Sequence, residues 1–176
     1  MTTEKKKNEK KNGTVTDFAP VLTRGAEAET TRDPSSVMTL LADSGDTGGR
    51  LTAYRSTFAE GAVGAPAHLH TAAAESFFVL DGALRVLVGE EITVLKAGDF
   101  LVIPPGTPHA FAAAPGATAD VLCFFTPGAD RFDYLRLLGG VMRGERDPQE
   151  IRDSSERFDN HYVDSPVWKA ALGERD

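Results

Sequence analysis

Between about Pro20 and Thr126 the chain breaks into short apolar runs, each ended by Gly, Pro or Asp, and none of them holds a helical period. The runs are VMTLLA, RLTAYRSTFA, ESFFVL, ALRVLV, ITVLKA, DFLVIP, HAFAAA and ADVLCFFT. Short strands that recur every 8 to 12 residues or so bury their apolar sides only by pairing into a sandwich or barrel, so the spacing predicts an all-β domain. Asp81-Gly82 lies between two of the runs and predicts a hairpin, because a type I′ turn needs positive φ at both central residues. Two further turns are marked by GEE at 89 to 91 and KAGD at 96 to 99.

Beyond Thr126 the pattern changes. In ADRFDYLRLLGGVM, Phe132, Leu135, Leu138 and Met142 recur at three- and four-residue intervals, which predicts an amphipathic helix weakened at Gly139-Gly140. DPQE starts a second helix, with Asp147 as cap, Pro148 in the first turn and Glu150 completing a capping box. The ending RFDNHYVDSPVWKAAL is read as packing back on the β region, with Tyr162 and Trp168 as packing residues. The opening MTTEKKKNEKKNGT has nothing to bury. The organisation expected is a disordered basic tail over 1–17, a β-barrel over 18–127 and a C-terminal helical cap over 128–176.

The first 13 residues carry five lysines against two glutamates, so they contribute +3 to the net charge of −7 and leave −10 on the rest. An acidic body repels phosphate backbones, and a short basic arm without aromatics does not offset that; no nucleic-acid partner is expected. No apolar h-region follows the lysines, and no apolar run approaches the roughly 20 residues of a membrane span. A cytoplasmic protein without a membrane partner is expected. The single cysteine, Cys123, lies in an apolar run and reads as a small buried hydrophobe.

Two of the four histidines, His68 and His70, stand two apart in PAHLHTAAAESFFVLDG. On a strand they share a face. Glu75 lies an odd number of residues further on, so TAAA has to be a turn that resets the register for its carboxylate to join them. Two imidazoles and a carboxylate suit a divalent first-row ion with open positions for substrate. His109 emerges from the Pro/Gly turn of GDFLVIPPGTPHAF and shares a strand face with Phe111. The pair His68/His70 alone leaves metal binding and coincidence open.

The full set resembles the cupin superfamily. His68, His70, Glu75 and Gly82 match its first motif, and Gly98, Pro104, Gly106 and His109 match its second. Two positions depart from the pattern: Ala62 stands where a glycine is usual, and Ala113 where an asparagine is frequent. The similarity runs over residues 50 to 126 and implies a jelly-roll barrel with the ion inside. TPGADRFDYLRLLG and RFDNHYVDSPVW are similar to the post-barrel segments of single-domain bacterial cupins resembling quercetin 2,3-dioxygenase.

This resemblance implies one divalent transition metal held by His68, His70, Glu75 and His109. Iron, nickel or manganese is favoured, with cobalt or zinc also compatible. It further implies a dioxygenase acting on a flavonol-like or other enolic or aromatic small molecule, with dioxygen as second substrate, Glu75 as catalytic base and a homodimeric assembly. Phe77, Val79 and Phe111 share faces with the ligands and are expected to form an apolar substrate wall. A metal-dependent isomerase or cyclase of a polyketide or sugar, and a non-catalytic small-molecule-binding cupin, stand as alternatives.

Overall fold

The computed structural model describes residues 18–173, so the tail expected over 1–17 lies outside the described residues. The chain runs β1 (Thr30–Arg32), β2 (Ser36–Ala42), β3 (Thr52–Phe58), β4 (Val63–Leu69), β5 (Ala74–Val88), β6 (Glu91–Lys96), β7 (Phe100–Ile103), β8 (His109–Ala113) and β9 (Ala119–Thr126). Helices α1 (Phe132–Met142), α2 (Pro148–Asp153) and α3 (Ser155–Phe158) follow, then β10 (His161–Tyr162) and α4 (Pro166–Leu172). The fold is mostly β, as the short punctuated runs predict. All pairings are antiparallel, in the order β1-β2-β3-β9-β5-β8-β4-β10, with β6 and β7 joining along β5.

The expected hairpin at Asp81-Gly82 is absent, because β5 continues through it. Its first part pairs with β7 and β9, and its second with β6 and β8, so one bent strand belongs to both walls of the curled sheet. The register on β9 shifts between Val79 and Asp81, as at a bulge. Gly82 has φ 72°, and a Cβ there would lie 2.1 Å from the Thr118 carbonyl oxygen. A glycine at positive φ serves a bulge as well as a hairpin turn, and here Gly82 alone adopts it, which is why the local signal misled.

Alternation along the strands sets the core. In β9, Ala119, Val121, Cys123 and Phe125 point inward between less buried neighbours. They meet Phe77, Val79, Leu84, Val86 and Phe111 from β5 and β8. Burying each large apolar side chain contributes about 1.5–3 kcal/mol. β8 is buried on both faces. Its outer side carries only Ala110 and Ala112, which with Ala67 and Leu87 form a shallow bed for Trp168 of α4.

Helix α1 forms at the expected place, with Tyr134, Leu135, Gly139 and Gly140 buried. Gly139 lies against β1 so closely that a Cβ would come within 1.8 Å of Thr31 Oγ1. That contact explains a glycine inside a helix. Asp147 and Glu150 make the predicted capping box of α2.

Candidate metal centre

β4 and β8 pair with His68 opposite His109. Pro66 lies in the irregular part of that ladder, between register positions Ala65 and His68, where its missing N–H leaves no ladder bond broken. His70 follows the end of β4, and Thr71 to Ala73 turn the chain into β5. This turn meets the demand placed on TAAA. Glu75 then sits between Ile103 of β7 and Phe125 of β9, in the middle of a wall. One ligand atom from each of His68, His70, Glu75 and His109 lies within 4.8 Å of all the others, and all four residues are buried.

The backbone fixes the orientation of the rings. Nδ1 of His68, His70 and His109 lies 2.8, 2.5 and 2.9 Å from the carbonyl oxygens of Pro66, Asp159 and Thr107. A carbonyl only accepts, so each Nδ1 carries a proton, and a ring in its neutral form turns its Nε2 lone pair inward. Glu75 Oε2 lies 2.8 Å from His109 Nε2, 3.2 Å from His70 Nε2 and 3.9 Å from His68 Nε2. With all three rings neutral, three lone pairs and an anion converge at this buried point. A proton on one ring relieves part of that repulsion, whereas a divalent cation relieves all of it. The donor set fits a first-row ion.

The electrostatics point the same way. Burial and the neighbouring His109 keep His68 well below its ordinary pKa. Burial pushes the Glu75 carboxyl up, but His109 and His70 outweigh it and hold it well below the carboxylate range. His109 is pushed down by burial and raised on balance by Glu75. Neutral imidazoles and an ionised carboxylate are the forms that bind metal, so His109 has to give up its proton for an ion to enter.

Glu75 Oε1 accepts a hydrogen bond from the Tyr54 hydroxyl at 3.2 Å. Burial and the nearby Cys123 and Glu75 hold the Tyr54 pKa well above its ordinary value, so the phenol remains a donor. Burial likewise raises the Cys123 thiol, which makes it inert.

Sequence reasoning missed Asp159. Its carboxylate accepts from Thr71 N–H at 2.8 and 2.9 Å, from the Thr71 hydroxyl at 2.7 Å and from Ala72 N–H at 2.8 Å. Its carbonyl also orients His70. The residue adopts a left-handed conformation, with φ 49°. Burial pushes its carboxyl up, yet the hydrogen bonds from Thr71 and Ala72 hold it below the usual range. Asp159 therefore clamps the turn between two ligands. His161 sits beside it, 3.2 Å from Asp159 Oδ1, and outside the ligand cluster.

A cavity of about 230 Å³ opens onto His68 and Glu75. Phe111 lines it, whereas Phe77 and Val79 do not. Both of these are fully buried, and Phe77 packs edge-on against Phe111 with ring centroids 5.0 Å apart. They share the strand of Glu75 but lie behind the wall, because the curl of the sheet turns their positions into the core. The wall comes instead from Met38, Tyr54 and Phe58 of β2 and β3, Tyr134, Leu135 and Leu138 of α1, and Asn160 and Tyr162 of the terminal segment. Tyr162, read from sequence as a packing residue, reaches the cavity and shares a 2.9 Å hydrogen bond with the Tyr134 hydroxyl. β10 explains this: it pairs with β4 and sets Tyr162 opposite His68.

Residues 54–125 match the cupin domain family. Over 94 residues the chain is 33% identical to quercetin 2,3-dioxygenase of Bacillus subtilis (strain 168), a match that spans 52% of this chain and 27% of that protein. The fold is similar to that of KdgF from Halomonas sp., at 26% identity and a TM-score of 0.55, over 64% of this chain and 97% of that one. It is also similar to the polyketide cyclase RemF from Streptomyces resistomycificus, at 18% identity and a TM-score of 0.51, over 70% of this chain and 98% of that one. The latter likeness concerns the fold alone.

Proposed function

We propose, from the premise that this chain carries a cupin domain and resembles quercetin 2,3-dioxygenase-like cupins, that it is a metal-dependent oxygenase of small enolic or aromatic molecules. The observation that carries the reading is the buried convergence of His68, His70, Glu75 and His109, two of which, His68 and Glu75, line a mainly apolar cavity. These four residues would hold one divalent first-row ion. Bound there, such an ion would supply Lewis acidity to a substrate oxygen and a route for electrons to dioxygen.

The chain's own groups do the rest. Glu75 turns Oε2 toward the histidines and Oε1 toward Tyr54. Oε1 is the atom that takes the proton of an enolic hydroxyl, and Tyr54 holds the carboxylate in place while it does so. The apolar wall excludes water and favours a flat, apolar body. A volume of about 230 Å³ lies below the roughly 300–1,000 Å³ of sites for drug-sized ligands, which supports a one-ring substrate over a full flavonol. Dioxygen as second substrate, a homodimer and a cytoplasmic location belong to the same proposal.

Metal content is measured on the protein as isolated and on Glu75→Ala and His109→Ala separately. Stoichiometric metal in the parent and its loss in both variants is the expected result. A parent without transition metal, or two variants that bind it as the parent does, refutes the site. Oxygen uptake with enolic substrates then tests the reaction. Turnover that proceeds equally under anaerobic conditions moves the assignment to a Lewis-acid isomerase or cyclase.

A further inference from the structure

Arg131, just ahead of α1, is 3% exposed. Its Nη1 and Nη2 donate to the Phe158 carbonyl and to Asn160 Oδ1, each at 3.2 Å. The guanidinium lies over the rings of Phe125 and Tyr134, 4.7 and 4.2 Å from their centroids. Its Nε has no partner, and no carboxylate pairs with it among the described residues. Asn160 is 2% exposed and gives its oxygen to Arg131, which leaves its Nδ2 also without a partner. Both residues line the cavity above the ligand cluster.

Both orphaned groups are donors, and one belongs to a cation. A buried cation without a counter-charge is costly, and the aromatic faces offset only part of that cost. Among the cavity-lining residues the only carboxylate is Glu75, which is already engaged by the histidines and Tyr54. What the cavity lacks is an acceptor with negative charge. Its other walls, including Met38, Phe58, Phe111, Leu135 and Leu138, ask for an apolar body. We infer that the cavity takes a small apolar acid whose carboxylate is received by Arg131 and Asn160. This inference rests on the reading of the cavity as the substrate site, and it makes Arg131 a specificity residue as well as a tie between the terminal segment and the barrel.

The test titrates the full chain by calorimetry with benzoate and cinnamate, and with benzamide and cinnamamide as neutral counterparts of the same shape. Metal content is measured on every sample. The acids bind, and the amides bind at least about tenfold more weakly, because a charge-assisted pair is lost. Arg131→Met weakens the acids by about tenfold or more and leaves the amides within about twofold. Asn160→Asp places a carboxylate within the protein beside Arg131, so it also excludes the acids, while its melting temperature equals or exceeds the parent's. This second variant decides the matter if Arg131→Met does not fold. Equal binding of acids and amides, no saturable binding of either acid, or acid binding by Asn160→Asp at parental affinity overturns the inference. A parent that selects acids but holds no metal sinks the metal reading alone, and a parent that holds metal but does not select acids sinks this one alone.

Discussion

Asp159→Gly separates two jobs done by one residue. Glycine retains the left-handed backbone at φ 49° and the carbonyl that orients His70, and it removes the carboxylate that clamps Thr71 and Ala72. Three donors on the turn lose their acceptor, two backbone N–H groups and one hydroxyl, and His161 Nε2 loses its neighbour at 3.2 Å. Thr71 and Ala72 are exposed, so water replaces the lost partner and each bond is worth about 0.5–1.5 kcal/mol. The three on the turn total about 1.5–4.5 kcal/mol, and the loss falls on the turn that sets His70 and Glu75 relative to one another. Loss of an outer partner of a metal ligand typically costs about 10–100-fold in affinity, or about 1.4–2.7 kcal/mol, which agrees with that sum. The assay is competition for metal against a chromogenic chelator, with melting of the metal-free protein as a control for global damage. Asp159→Gly is expected to lose about 10–100-fold in metal affinity, and Asp159→Asn, which keeps one acceptor oxygen, about tenfold. Metal affinity within about twofold of the parent for Asp159→Gly would refute the clamp.

After metal is removed by chelation, stability is expected to peak near the ordinary histidine value of 6.5. Below it the unfolded chain protonates His68 while the fold keeps that ring neutral, so stability falls by about 1.4 kcal/mol per pH unit. Above it the fold still holds a proton on His109 that the unfolded chain has lost, and this gain fades as pH rises through the raised value. Urea melts across this range give the profile, and a flat one contradicts the assignment of His68 and His109. Gly82→Ala, with a Cβ 2.1 Å from Thr118 oxygen, is expected to lose about 2 kcal/mol or more by urea denaturation. Gly61→Ala, with φ 76° and open space around it, should lose about 1 kcal/mol, and equal losses would refute the role of the close approach. Phe77→Ala is expected to cost about 3–5 kcal/mol, more than Phe111→Ala, whose ring is partly exposed to the cavity; the reverse order would put Phe77 on the wall after all.

Local chemistry was legible in the sequence. The His68/His70 alternation, the resetting turn before Glu75 and the capping box at Asp147 each depend on neighbours a few residues away, and each appears as read. Positive φ was legible at Gly82 but not needed at Asp81, and the bulge that carries β5 between two walls was not legible, since the choice depends on which strands pair beside it. Asp159 acts on residues 87 to 89 positions away, beyond the reach of any spacing rule. The same distance hid the cavity-lining roles of Arg131, Asn160 and Tyr162. For Phe77 and Val79 strand alternation put them on the ligand face correctly, but curvature decided that this face meets the core at their positions.

The docking of β10 beside β4 also dictates an order of assembly. His70 is oriented by a carbonyl made 89 residues later in synthesis, and the turn leading to Glu75 is held by the same residue. Chains elongate at about 5–20 residues per second, so for several seconds a nascent barrel holds its histidines without the group that aims one of them. A metal ion captured during that interval would meet a looser site. At the proposed site, tight binding would therefore come late, once residues 159–162 close along β4 and not when the barrel itself has formed.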